Sequence, residues 1–378
     1  MNFAFNEEQE ELRAMARGFL ADHCSSEQVR AAMTSEQGYD ADVWKRIGSE
    51  LGWPALLVPE EYGGLGLSWV ELVALLETTG EALLCAPFFS TVCLGGNALL
   101  VAGSVAQKQE HLPALAEGQL RCTLAFSEPS GRWDADGIAS VATPDGGDFV
   151  LTGTKRFVPD GANADLIVVA ARAAGSSGED GVSLFLVPSD AAGLTITALP
   201  TVDQTRRQAE FRLDGVRVPA EASLGEAGSA WPALRKVLDL AAVGVSAEQV
   251  GGAQRCLDLS VEYAKERVQF GRVIGSFQAL KHKAADMMLS VECARSAAYY
   301  AGCVAAEDGD ALPVAASLAK ATCSEAYFRC AADAIQIFGG IGFTWEYDPH
   351  LHFKRAKSTE TFLGDASWHR ERIAGLVF

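Results

Sequence analysis

The spacing of apolar residues changes twice along this 378-residue chain, at Cys122 and at Trp231, and this alternation restricts the fold more than any single motif. Before Cys122 the spacing is helical. Glu7–Asp22 carries Leu12, Met15, Ala16 and Phe19 on one stripe, Val43–Leu51 predicts a second helix, and Ala106–Leu115 another. Glu61–Ser68 is a glycine turn whose Ser68 can cap a helix running through Thr79. From Cys122 strand-like runs take over: Cys122–Phe126, Phe149–Thr152, Leu166–Ala171, Val182–Val187, Thr195–Leu199 and Ala209–Val216. Clusters of Asp, Gly and Pro separate them, and Gly175–Gly181 reads as an exposed hairpin loop. With no long helix between them, these runs predict an antiparallel β domain, barrel or sandwich. After Trp231 the helical spacing returns over Trp231–Phe270, Phe277–Glu307, Val314–Phe338 and Ala366–Val377. Alanine at many of the apolar positions allows close helix packing, so a four-helix bundle is expected. The predicted class is α+β in three parts: a helical domain over residues 1–121, a β domain over 122–228 and a helical bundle over 229–378.

Charge and cysteine usage narrow the function. A formal net charge of −18 argues against nucleic-acid binding, and any polyanionic ligand has to be met by local arginines and backbone amides. Nine scattered cysteines without a C-x-x-C pair predict neither a disulfide framework nor a zinc site and fit a reducing cytosol. The acidic N-terminus lacks a signal-peptide pattern, so a cytoplasmic protein is expected. The uncharged run Ala82–Gln107 is interrupted by Pro87 and by Gly95-Gly96-Asn97, which predicts two short buried helices rather than a membrane span. His350 and His352 form an H-x-H pair with no evident third ligand, so a surface role is expected and no metal.

The stretch Tyr263–Lys283, YAKERVQFGRVIGSFQALKHK, reads as a helix end, a glycine-containing break and a second helix start capped by Ser276. Arg267 and Phe270 lie three apart and would share a helix face. A guanidinium beside an aromatic ring suits an anionic, planar ligand such as a flavin dinucleotide. The same residues fit a helical hairpin with a solvated arginine equally well.

With Cys122–Asp134 and Gln336-Ile337-Phe338-Gly339-Gly340-Ile341-Gly342-Phe343, this stretch makes the chain resemble the acyl-CoA dehydrogenase family from Phe5 to Ala374. The resemblance implies FAD at a subunit interface. Arg267, Phe270 and Gln278 would meet the adenine dinucleotide part of a neighbouring subunit's FAD, with Gln336, Gly339 and Gly340 approaching it from the other side. An arginine can pair with the pyrophosphate, and glycines at a helix end let backbone amides approach it. Gly339-Gly340 would also serve as an ordinary helix C-cap. The reaction implied is α,β-dehydrogenation of an acyl-CoA thioester. A carboxylate takes the α-proton and the β-hydrogen leaves as hydride to the flavin, with an electron-transfer flavoprotein as the usual acceptor.

This chain departs from the family where that carboxylate belongs. The usual glutamate position falls on Leu363, and the position used by a minority of members falls on Ala241, with Ala242 where an arginine is frequent. Asp239 matches an aspartate that helps bind the CoA arm. Two carboxylates remain as substitute bases: Glu248, two helical turns beyond Ala241, and Asp365, two positions past Leu363. Glu360 reads as a surface or ion-pair residue. In the β domain, Trp133 replaces a small serine near the pyrophosphate. Phe157 can still stack near a flavin, but Pro159 has neither the hydroxyl nor the N–H that the family offers flavin N5. The pattern resembles the base-lacking subunit of bacterial α2β2 acyl-CoA dehydrogenases that act on steroid side-chain thioesters in lipid metabolism. A self-sufficient homotetramer using Glu248 or Asp365, and a non-catalytic scaffold that keeps only the fold, are the other two readings.

Overall fold

The computed structural model describes residues 5–378. Six helices come first: α1 (Glu7–His23), α2 (Ser26–Thr34), α3 (Ala41–Ser49), α4 (Trp69–Glu81), α5 (Asn97–Ala102) and α6 (Val105–Ala116). Strands β1 (Cys122–Ala125), β2 (Val141–Asp145), β3 (Asp148–Pro159), β4 (Leu166–Ala173), β5 (Val182–Pro188), β6 (Leu194–Leu199) and β7 (Gln208–Pro219) follow. After α7 (Trp231–Glu266) come a short hairpin, β8 (Val268–Gln269) and β9 (Arg272–Val273), and then α8 (Gln278–Glu307), α9 (Leu312–Phe338), α10 (Pro349–Thr361) and α11 (Ala366–Val377). Two compact units result. One gathers the chain up to Ala31 with Ser68–Leu84 and Ala242–Phe378; the other holds Ala32–Leu67 and Cys85–Ala241.

The second unit is built on a seven-stranded sheet in the order β1-β4-β2-β3-β7-β6, with β5 on β4. Antiparallel pairs dominate, as the run of short strands predicts, but β1 and β2 both lie parallel to β4. β4 and β5 are buried almost throughout, which is why they read as continuous apolar runs rather than alternating ones. Strand β2 escapes sequence reading because only Ala142 of its five residues is buried and Pro144 interrupts it. Ser90–Gly96 forms a π-helical stretch running into α5, and among the described residues no helix is long and apolar enough to cross a membrane.

The first unit packs α8 against α9 over a small-residue core that includes Ala253, Met287, Tyr327, Ala331 and Ala334. Ser68 caps α4 in a reciprocal capping box with Glu71, as its position predicts. Glycine at 80 and 251 lets α4 and α7 touch backbone to backbone, since a Cβ at either would collide with the Glu248 or Glu77 carbonyl. Helix α10 carries no apolar stripe to announce it: its buried face holds His350, His352, Arg355 and Thr359 beside Leu351 and Ala356.

The sheet's internal tie is an ion pair. Lys155 Nζ reaches Glu128 Oε1 at 2.6 Å, with side chains 0% and 5% exposed. Glu128 also accepts the Ala139 and Ser140 amides at 2.9 and 3.0 Å. Burial alone would raise the Glu128 carboxyl, but Lys155 and these amides hold it below its ordinary value. Replacing Lys155 with Met leaves that carboxylate buried without its partner and is expected to cost about 3–5 kcal/mol in urea unfolding. The double variant Lys155→Met/Glu128→Leu is expected to unfold at higher urea than the single one.

Candidate functional site

Helix α7 ends at Glu266, four residues short of Phe270. The Arg267 amide still bonds to the Tyr263 carbonyl at 2.9 Å, but Val268–Gln269 then pairs with Arg272–Val273. Phe270 (φ 53°) and Gly271 (φ 76°) make the two-residue turn, both left-handed as a tight hairpin requires. The expectation that Arg267 and Phe270 share a helix face is therefore corrected: β-branched Val268 and Val273 around Gly271 favour a hairpin over another helical turn. Nor does Ser276 cap α8. Its hydroxyl donates to the Val273 carbonyl at 2.7 Å, and Phe277 holds the cap position without a side-chain bond.

The hairpin still brings Arg267 and Phe270 to one cavity of about 330 Å³, lined also by Tyr263, Phe277, Leu280 and Phe338. Tyr263 stacks on Phe338 with ring centroids 4.2 Å apart. Phe270 is 89% exposed, with its ring edge-on to Phe277 at 6.0 Å. A bulky residue held left-handed and bare to solvent is strained by about 1–2 kcal/mol. Arg267 makes no ion pair among the described residues. Gln278, Gln336, Gly339 and Gly340 do not line the cavity; they are exposed beside the lining residues Phe277 and Ile337–Phe338. Gly339 (φ 68°) caps α9 with its amide on the Ile335 carbonyl, so the C-cap role is real.

In the second unit, the Ser127–Pro129 and Lys155–Pro159 segments meet. The Arg156 amide bonds to the Ser127 carbonyl at 2.8 Å beside the Glu128–Lys155 pair. Phe157 sits at a bulge in β3 with φ 54° and a 48% exposed ring. Trp133 is half-buried and stacked on Phe126 at 5.8 Å. Pro159 is buried, and its carbonyl accepts the Thr123 hydroxyl at 2.7 Å. Asp239, on α7, is 2% exposed.

The positions expected to hold a base are apolar and enclosed. Ala241 is fully buried, and Leu363 is 4% exposed with φ 62°. Gly364 follows at φ 95°, where a Cβ would stand 2.6 Å from the Trp368 ring. Two left-handed residues in sequence, one with no room for a side chain, leave this turn unable to present a carboxylate at 364. Asp365 is exposed and caps α11, accepting the Trp368 amide at 2.8 Å. Glu248 is buried in the middle of α7. Glu360 pairs with Lys357 at 2.7 Å, the ion-pair role its sequence suggests. His350 and His352 are 5% and 2% exposed, so the expected surface role is corrected: both lie on the buried face of α10. His352 Nδ1 shares a hydrogen bond with the Tyr327 hydroxyl at 3.0 Å, and no metal-holding cluster exists among the described residues.

Sequence reading missed Lys320, whose only signal is a cation within the otherwise uncharged stretch Leu312–Ser324. It is fully buried on α9, and its Nζ lies 2.9 Å from Ser324 Oγ, 3.0 Å from the Glu360 carbonyl and 2.9 Å from the Gly364 carbonyl. His369 Nε2 meets the Leu363 carbonyl at 2.9 Å, so the turn is held at three carbonyls. Its N–H bonds are donated to the two carbonyls and to Ser324 Oγ, whose own hydroxyl donates to Gln249 Oε1 at 3.3 Å. Burial pulls the Lys320 ammonium down to about 7, only partly offset by Cys323, Glu360 and Asp365. Unfolded, the lysine keeps its ordinary value near 10.5. Between those values the unfolded chain binds the extra proton, so stability rises as pH climbs from about 7 toward 10. The urea midpoint of the protein is expected to gain on that of Lys320→Met over this interval; equal slopes would contradict the clamp.

Comparison with known proteins agrees with this geometry. Models of the acyl-CoA dehydrogenase N-terminal, middle and C-terminal domains match residues 6–119, 123–216 and 228–377. Acyl-CoA dehydrogenase IpdE2 of Mycolicibacterium smegmatis is 36% identical over 375 residues, covering 99% of this chain and 100% of the relative. Among solved structures, the Tcur3481–Tcur3483 steroid ACAD, in a variant form, matches with TM-score 0.88 at 32% identity over 98% of each chain. The ChsE4–ChsE5 complex from Mycobacterium tuberculosis matches with TM-score 0.90 at 29% identity, over 99% of this chain and 98% of that one. The chain belongs to the acyl-CoA dehydrogenase family of flavoprotein oxidoreductases.

Proposed function

We propose that this protein is the base-lacking subunit of an α2β2 acyl-CoA dehydrogenase, completing a shared FAD site rather than building one alone. The observation that carries the reading is the enclosure of Ala241 and Leu363, with a glycine-only turn beside the latter. The hairpin cavity fits a dinucleotide: Arg267 has no carboxylate partner among the described residues and stands with exposed Phe270 over stacked aromatics. The β domain fits it poorly, since Trp133 is bulky where pyrophosphate would lie and Pro159 has no N–H to donate. When bound, FAD supplies the acceptor for the β-hydrogen of an acyl-CoA. Arg267 pairs with the pyrophosphate, Phe270 packs on the adenine dinucleotide, and a homologous subunit brings the carboxylate that takes the α-proton. The steroid ACAD and the ChsE4–ChsE5 complex, both named as pairs of proteins, support a two-component assembly and a steroid side-chain thioester as substrate. An electron-transfer flavoprotein in the cytoplasm would take the electrons onward.

The test is turnover. Purified alone, the chain is expected to show no acyl-CoA dehydrogenation; co-expressed with a base-bearing homologue, it is expected to be active. Arg267→Ala in that assembly is expected to weaken FAD retention about tenfold or more. Turnover by the lone chain would overturn the reading, and Glu248→Gln and Asp365→Asn would then identify its base. A chain that never acquires FAD with any homologue would make it a scaffold.

A further inference from the structure

Another cavity of the first unit shares no lining residue with the hairpin cavity. It measures about 410 Å³ and opens between the end of α1, the start of α2, the end of α4 and the start of α10. Two of its acidic residues are already neutralised: Glu81 pairs with Arg17 at 3.2 Å, and Asp348 takes Arg30 at 2.5 Å and the Ser26 hydroxyl at 2.7 Å. A third cation, Arg255, is half-buried in the wall and makes no ion pair among the described residues. One positive charge is therefore left uncompensated in a chain whose formal charge is −18. Beside it stands His352, which burial, with Arg255 and Arg355 adding, pulls down to about 3. Its Nδ1 is engaged by Tyr327, which leaves Nε2 as the ring nitrogen available to a ligand.

Leu20, Val29, Leu83 and Leu351 give the wall an apolar part, beside the small polar residues Ser25 and Thr78. Leu83 supplies an independent observation. It follows the Ala82 cap of α4 at φ 52°, a position where glycine is the unstrained choice. A branched side chain there keeps its strain while closing the cavity, and strain of this kind gathers at ligand sites.

We propose that this cavity is a ligand site separate from the flavin edge, taking a small monocarboxylate with an aliphatic body. The Arg255 fork receives the carboxylate, His352 Nε2 adds a neutral hydrogen-bonding partner, and Leu20 and Leu83 cover the chain. A planar monoanion matches Arg255, the lining guanidinium that makes no ion pair among the described residues, and the leucines and Val29 give inorganic phosphate nothing to bury.

Sodium decanoate is the probe, titrated calorimetrically into the full-length protein in whatever assembly it purifies. Saturable binding is expected, with decan-1-ol and inorganic phosphate each at least about tenfold weaker. Arg255→Gln is expected to weaken decanoate about tenfold or more. Ala21→Phe, which adds bulk to the cavity from α1 and leaves Arg255 unaltered, is expected to abolish binding even if the Arg255 variant folds poorly. Absence of saturable binding, equal binding of decan-1-ol or phosphate, or decanoate binding that survives Ala21→Phe would each overturn the proposal.

Discussion

A buried lysine holds the glycine turn on which the proposed division of chemistry depends. Lys320 binds the Glu360 and Gly364 carbonyls from α9, and His369 binds the Leu363 carbonyl from α11. Together they fix two left-handed residues between α10 and α11, where family members present their base. Three buried hydrogen bonds, each costing about 1–3 kcal/mol to lose, together outweigh a strain of about 1–3 kcal/mol at one leucine with φ 62°, so the turn persists. The same rigidity that would orient a glutamate here orients a leucine and leaves no room for a side chain after it.

The hairpin Val268–Val273 has the opposite character. Its strained residue, Phe270, is exposed, and the cavity behind it has a floor of stacked aromatics and an arginine that makes no ion pair among the described residues. Exposed strain at one site and enclosed apolar strain at the other fit a division of labour between subunits, in which this chain contributes dinucleotide contacts and another contributes the proton chemistry.

Much of this was readable from residues, and the limits are physical. Ser68 with Glu71 announced α4, and the change of period at Cys122 announced the sheet, because capping and amphipathicity are local signals. Arg267 and Phe270 line one cavity, and the backbone joining them is a hairpin rather than the helix their spacing predicts. Periodicity continued through Phe270, while two valines around Gly271 set a hairpin. Helix α10 and the placement of His350 and His352 were not legible, since a helix that buries histidines and arginine beside a tyrosine hydroxyl has no apolar stripe. Lys320 was invisible for a related reason. Its partners are backbone carbonyls forty and forty-four positions away or a serine one turn along, and neither has a sequence signature.

The central claim is that one chain completes a flavin site which another builds, and the most direct measurement is the ratio of FAD to polypeptide in the native assembly. This account predicts one FAD for every two chains, with the lone protein largely free of it. One tightly held FAD per chain in a homo-oligomer of this protein would contradict it.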